Sequence, residues 1–174
     1  MFEIDKWSKD HVHEVMRELL YSFNYMWLMV EEWVKNTPPE KLKSDEFFKF
    51  SEQFGSYQAL RLARVSDPPE GEIEKLMYFL KRSHWSVFED IEMTKVSDSE
   101  LRMRTLECTS QKAARKWGMG YYECGQGGLK LREGFFKEIN PKARVVRVFT
   151  PPDTRLAGTP EEVSCEWRIT IDES

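Results

Sequence analysis

The stretch VSCEWRITI, residues 163–171, alternates apolar and polar side chains along its whole length. In an extended chain the apolar set points to one side and the polar set to the other, which predicts a β-strand with one buried and one solvated face. Cys165 and Trp167 belong to the buried set. The fold therefore contains a sheet whose last strand packs against an apolar layer.

Three further segments carry strand patterns. VFEDIEMTKV (87–96) and LRMRTLEC (101–108) are joined by SDSE, whose Ser and Asp favour a turn, so together they predict a hairpin. ARVVRVF (143–149) predicts another strand. The order of these strands in the sheet does not follow from the pattern.

Helical patterns dominate the first half of the chain. A run over about 12–34 contains no Gly or Pro, follows Ser8 as an N-cap, and is stopped by prolines 38 and 39. Gly55 weakens a second helix and is a candidate point of division. Helices are predicted at 39 or 44 through 65, at 72–82, at 109–118 with Thr109 or Ser110 as the cap, and at about 129–139.

These patterns predict an α+β fold, in which N-terminal helices pack with an antiparallel sheet of about four strands and two further helices. A length of 174 residues suits one domain better than two. We expect a single domain over 1–174, with a helical part at 1–84 and an α+β part at 85–174 that carries the cysteine motifs.

Composition excludes several classes of protein. A formal charge of -4 argues against a general nucleic-acid binder, whose affinity comes from clustered Lys and Arg. The chain has no run of about 20 apolar residues that would span a bilayer. It begins MFEIDKWSKD, which lacks the basic and then apolar pattern of a signal peptide. A cytoplasmic protein with no membrane or nucleic-acid partner is expected.

The cysteines, Cys108, Cys124 and Cys165, are odd in number and are therefore expected to be reduced thiols or metal ligands. Cys108 ends a predicted strand, Cys124 precedes a predicted helix, and Cys165 faces inward from the last strand. Cys108 and Cys124 are 16 residues apart with a short helix between them, a separation that allows these two to meet at one end of the sheet. Zinc takes four ligands, usually with close CxxC pairs, and no such pair is present. Three separately buried thiols are the alternative.

A second candidate site lies in YMWLMVEEW, residues 25–33. Trp27 with Glu31 or Glu32 offers an aromatic wall and a polar anchor, the combination that small-ligand sites use. The alternative is a helix that turns its aromatic face to the core and its acids to water.

The run RTLECTSQKAARKWGMGYYECGQGGLKLREGFFKEINPKARVVRVFTPPDTRLAGTPEEVSCEWRI resembles a family of cytosolic bacterial and archaeal proteins classed as a domain of unknown function. Its motifs are Cys-x-x-Gln, a second Cys, Cys-Pro-Pro-Asp and a final Cys-x-Trp, with an upstream Asp-Gly-x-Trp and Glu segment. The chain is more distantly similar to small-molecule-binding domains of the 4-vinyl reductase type and to L-2-amino-thiazoline-4-carboxylic acid hydrolases.

The resemblance implies roles for particular residues. It places Cys108, Cys124 and Cys165 in a metal or ligand site with Asp153, with three thiolates and an open or oxygen-filled position as one way to hold Zn. It also implies ligand contacts for Gln111, and for Asn24, Trp27 and Glu32 through the upstream motif. Two positions depart from the pattern, because Thr150 stands where relatives have a cysteine and Asn24 where they have an acid.

Three functions are consistent with these residues. The first is a small-molecule-binding module; one form of this hypothesis adds a bound metal ion. The second is a hydrolase of a small heterocyclic amino acid, acting through a thiolate or a metal-bound water. The third is an interaction subunit that dimerises through its aromatic helices. The binding module is the hypothesis we carry forward.

Overall fold

The computed structural model describes residues 6–38 and 46–172, and within these ranges it leaves the side chains of residues 24, 27, 31, 46 and 47 undescribed. The elements confirm an α+β fold of N-terminal helices, an antiparallel sheet and further helices. In chain order they are α1 (Lys9–Asn36), α2 (Glu46–Ala63), α3 (Glu72–Leu80), α4 (His84–Phe88), β1 (Glu89–Ser97), β2 (Glu100–Cys108), α5 (Thr109–Lys116), α6 (Gly125–Ile139), β3 (Ala143–Phe149) and β4 (Cys165–Ile171).

Helix α1 begins and ends where the sequence indicates. The Ser8 side chain accepts a hydrogen bond from the His11 amide at 3.2 Å, which satisfies one of the free N–H groups of the first turn. Asn36 is the last helical residue and Thr37 is extended, as expected just before two prolines.

Helix α2 runs through Gly55 without interruption. Gly55 lies against the backbone of α6, where a Cβ would overlap the Leu131 carbonyl and come within 2.9 Å of the Phe135 amide nitrogen. The same close approach is seen from the other helix, because a Cβ at Gly134 of α6 would overlap the Glu52 carbonyl of α2. The glycine expected to weaken or divide this helix therefore lets two helix backbones touch.

The sheet has the order β1-β2-β4-β3, with every pair antiparallel. Strand β4 is central, and its residues alternate between buried and exposed as the opening pattern predicts. On the solvated face Arg104 donates to its cross-strand partner Glu166 at 2.7 Å. The buried face meets α6, so that Trp167 and Ile169 share one core with Phe135 and Phe136.

Several predicted boundaries were wrong. Val87 and Phe88 end the short helix α4 rather than opening β1, and α6 begins at Gly125 rather than near residue 129. The N-cap of α5 is Cys108, not Thr109 or Ser110. In the ranges the structure describes, no helix is both long enough and apolar enough to cross a bilayer.

Candidate functional site at one end of the sheet

The antiparallel order brings several polar side chains to the same end of the sheet. Glu89, the first residue of β1, pairs with Cys108, the last residue of β2. Cys165 opens β4 three residues from the end of β2, opposite Thr105. We call this region the thiol end and define it by Glu89, Cys108, Cys124, Thr150 and Cys165. A charge on one of the three thiols affects the pKa of Cys108 and Cys124, which places the thiols in the same region, while a shared site formed by them stays a prediction.

The Glu89 carboxyl accepts hydrogen bonds from two neighbouring side chains. The Thr105 hydroxyl donates to one carboxyl oxygen at 3.1 Å, and the Cys108 thiol donates to the other at 3.7 Å. Burial raises the pKa of Glu89, against the opposing effect of the Arg132 charge. Sequence reasoning missed this residue, because Glu89 looks like any other acid in a strand with several.

Arg132 is the buried cation of the site, with 4% of its surface exposed. Its guanidinium lies 4.6 Å from the Trp85 ring centre and 4.2 Å from that of Trp167, and Nη1 donates to the Gly128 carbonyl at 3.1 Å. Nε has no hydrogen-bond partner in the described part of the chain. A signal was available in the sequence, since Arg132 interrupts the apolar face that Leu129 and Phe136 continue.

Cys108 and Cys124 are in environments that favour the neutral thiol. Burial raises the pKa of Cys124 to about 11 and raises that of Cys108 above its usual range, and the Glu89 charge adds to the second shift. The Cys165 sulfur accepts a hydrogen bond from the Trp167 indole at 3.3 Å. Nucleophilic attack needs a thiolate, so neither Cys108 nor Cys124 is prepared to act as a nucleophile in this conformation.

The predicted zinc ligands are not arranged as a preformed centre. Within residues 6–38 and 46–172, no group of three or more His, Cys, Asp or Glu side chains is placed to hold a metal ion. Asp153 accepts from the Thr150 amide at 3.1 Å and faces Arg147, with 3.7 Å from Oδ2 to Nε. The donor set does not fit zinc in this conformation, and metal binding by Cys108, Cys124 and Cys165 stays a prediction.

A groove of about 580 Å³ opens beside the thiol end. It lies between α3, α4 and the free edge of β1, and Glu89 is among its lining residues. Five of its lining residues are apolar and four are acidic. The lining residues are Met77, Lys81, Ser86, Val87, Phe88, Glu89, Asp90, Ile91, Glu92, Met93, Glu107 and Thr109.

Comparison with known proteins assigns a family to this arrangement. A family model described as "Family of unknown function (DUF6125)" matches residues 42–171. The chain belongs to this family. The match spans the whole sheet and all of the thiol end, and leaves α1 outside. No curated protein and no solved structure matches the chain.

The other predicted ligand residues have separate surroundings. Gln111 lies inside the DUF6125 match and its side chain makes two hydrogen bonds to the backbone of Tyr122. The side-chain N–H donates to the Tyr122 carbonyl, and the side-chain oxygen accepts from the Tyr122 N–H at 3.1 Å. Glu32 is exposed on α1, accepts from Asn36 at 2.7 Å, and lines a cavity of about 380 Å³ between α1 and α2. The side chains of Asn24 and Trp27 lie outside the described residues.

His84 is a titratable group with a strongly lowered pKa inside the DUF6125 match. Its Nδ1 is 2.8 Å from the Gln58 amide oxygen, and Phe23, Phe54 and Trp85 surround the ring. Burial, with a smaller contribution from the Arg132 charge, lowers the pKa of His84 to about 3. The imidazole therefore stays neutral in the folded protein through the mildly acidic range.

This depressed pKa predicts a loss of stability in mild acid. In the unfolded chain His84 takes up a proton near its ordinary value of 6.5, so stability present above that pH falls as the pH decreases toward 3. Between pH 7.5 and 5.5 the loss attributable to His84 should be about 1 kcal/mol. Urea unfolding of the wild type and His84→Gln at both pH values measures it.

A control variant should lose a different histidine, one that is exposed to solvent. His13 is exposed on α1, and His13→Gln should keep the wild-type difference between the two pH values. If His84→Gln loses as much stability as the wild type between pH 7.5 and 5.5, the neutral buried state of His84 is refuted.

Proposed function

We propose that this chain is a small-molecule-binding protein whose ligand occupies the groove beside the thiol end. The observation that carries the proposal is the position of Glu89, a carboxyl fixed by Thr105 and Cys108 where an apolar groove begins. Ligand sites combine mostly apolar walls with a few positioned polar groups, in volumes of roughly 300–1,000 Å³. A groove of about 580 Å³ suits a molecule of metabolite size.

The geometry supports a particular ligand chemistry. Phe88, Ile91 and Met93 offer an apolar surface, and the nearby Glu89 carboxyl can accept a hydrogen bond from the ligand. A carboxylate bonds most strongly to a charged or strongly polarised N–H. We therefore expect an amphipathic molecule that carries an amine or amide on a compact apolar body.

Binding of small amines tests the role of Glu89. Fragments that carry one amine on an apolar ring should bind the wild type, and Glu89→Gln should weaken them about tenfold because the charge-assisted bond is lost. Glu107→Gln removes a charge from the rim of the same groove and should change affinity less than about twofold. Amide shifts in nuclear magnetic resonance (NMR) spectra give the affinities, and thermal unfolding checks that both variants fold.

If Glu89→Gln and Glu107→Gln weaken amine binding equally, Glu89 acts only through its charge and not through a specific hydrogen bond to the ligand. No loss in Glu89→Gln would contradict the proposed anchor directly.

The hydrolase of a small heterocyclic amino acid remains an alternative. Glu89 stands close enough to the Cys108 sulfur, 3.7 Å, to take its proton when a substrate arrives. Against this, the raised pKa values of Cys108 and Cys124 disfavour the thiolate form of both residues. Binding is therefore the better supported function.

The remaining sequence predictions belong to the same proposal. A cytoplasmic location, the lack of a nucleic-acid partner and a possible homodimer rest on composition and on the aromatic helices alone. A bound zinc ion would require the thiols to lose their protons and rearrange.

A further inference from the structure

The start of α6 leaves backbone donors without acceptors. The first turn reads Gly-Gln-Gly-Gly, residues 125–128, and the first helical bond runs from the Gly128 N–H to the Cys124 carbonyl at 2.6 Å. The N–H groups of residues 125–127 therefore precede the regular hydrogen-bond pattern. Cys124, at the N-cap, makes no side-chain capping bond within the described chain. This end of the helix carries partial positive charge.

A buried hydroxyl is aimed at the same point. Thr150 has 0% of its surface exposed, and its Oγ1 has no hydrogen-bond partner among the residues the structure describes. That oxygen lies 3.6 Å from the position a Cβ on Gly125 would take. A buried hydroxyl without a hydrogen-bond partner destabilises the fold, so its position demands an explanation beyond packing.

Gly125 lets the Arg147 guanidinium lie against the start of α6. Its φ is not positive, so the backbone does not require glycine there. A side chain at this position would overlap the Arg147 guanidinium and contact Thr150. The absence of a Cβ thus brings a cation close to the helix start and to the buried hydroxyl.

The surrounding charge favours an anion. Arg147 packs against Gly125, and Arg132 donates to Gly128 one helical turn further on. Two carboxylates oppose these charges: Asp153, whose Oδ2 accepts from the Thr150 N–H and lies 3.7 Å from Arg147 Nε, and Glu89, which lies within electrostatic range of Arg132. Both carboxylates already accept hydrogen bonds from the protein, so the helix N-terminus, with Arg147 beside it, remains to attract an anion.

We infer that the start of α6 binds one small oxyanion, a carboxylate or phosphate group, through the N–H groups of residues 125–127, the Thr150 hydroxyl and Arg147. The inference rests on the proposed function, because it names an acidic group on the ligand in addition to the one that meets Glu89. It also gives Thr150 a role of its own, as a hydroxyl donor to the anion.

Titration with simple anions tests the site without knowledge of the natural ligand. Inorganic phosphate and acetate are added separately at ionic strength matched with sodium chloride, and the amide signals of Gly125 and Gly127 are followed by NMR. We expect saturable shifts in the wild type. Preference for phosphate indicates a phosphate ester as the natural group, and preference for acetate indicates a carboxylic acid.

Variants separate binding from structure. Thr150→Val keeps the shape but removes the donor, so it should weaken the anion at least fivefold while the unfolding temperature stays level or rises. Asp153→Asn keeps an acceptor for the Thr150 N–H and removes the opposing charge, so it should tighten binding about threefold. Thr170→Val, on the solvated face of β4, is the matched control and should bind as the wild type does.

Different failures point to different errors. If amine fragments bind beside Glu89 but neither anion moves the α6 amides beyond the chloride control, the oxyanion site is wrong and the proposed function stands. Anion shifts that Thr150→Val leaves unchanged also overturn the inference. If neither fragments nor anions bind, both proposals fall.

Discussion

Gly134→Ala should destabilise the protein by about 3 kcal/mol or more, the largest effect we expect from adding a single methyl group. The new Cβ would overlap the Glu52 carbonyl, so α2 and α6 would have to move apart. Phe135 and Phe136, both fully buried, lie next to this contact and would lose packing with it. Gly55→Ala meets the Leu131 carbonyl from the other side and should cost a similar amount. Urea unfolding followed by tryptophan fluorescence measures both.

Gly127→Ala is the matched control in the same helix. A Cβ there would meet the Phe48 ring at 3.6 Å, an ordinary contact distance. Alanine exceeds glycine in helix propensity by up to about 1 kcal/mol, so this variant should be as stable as the wild type or more so. If Gly127→Ala and Gly134→Ala lose equal stability, the close helix contact is not the reason for glycine at residue 134.

Arg132→Met should cost about 3 kcal/mol, because it leaves the buried Glu89 without its neighbouring cation. It also removes the charge between the rings of Trp85 and Trp167 and the hydrogen bond to Gly128. Arg132→Lys keeps the charge but not the planar group that stacks on both rings, so it should lose less. Urea unfolding near pH 8, where carboxyl groups are ionised, gives the values.

A double-mutant cycle shows whether Glu89 is the reason. The combination of Arg132→Met with Glu89→Gln should be less destabilised than the sum of the single changes, by about 1 kcal/mol or more. Arg155→Met, in the exposed loop before β4, should stay within about 0.5 kcal/mol of the wild type. Additive losses would show that Arg132 acts through its ring contacts alone.

The parts of the fold that sequence predicts best are those with a strong local period. Strand β4 alternates without a break, and α1 has both a cap and a stop, so each was placed closely. Helix α4 was missed because its five residues are too few to show a helical period. The start of α6 was missed because three of its first four residues are glycines, which local propensity disfavours. There a Cβ added to Gly128 would lie 3.2 Å from Arg132 Nη1 and 3.5 Å from the Trp167 ring, so close tertiary packing outweighs helix propensity.

The site was only partly predictable for a related reason. The sequence shows that β2 ends near Cys108 and that Cys165 lies on the last strand, but the approach of these two cysteines depends on β2 pairing with β4, which the sequence does not show. The importance of Glu89 and Arg132 follows from the sheet order β1-β2-β4-β3 and from packing across it, which no local pattern contains. Gln111 was singled out through a resemblance, and the structure gives it a backbone-bracketing contact with Tyr122.

An amide map of fragment binding to the wild-type protein tests the central claim most directly. A library of small amines and acids is added to labelled protein, and the shifted amides are located on the fold. We predict that they concentrate at residues 86–93 along the groove and at 124–128 at the start of α6. Shifts confined to the cavity between α1 and α2, at residues 29–37 and 49–53, would contradict the claim that the thiol end is the ligand site.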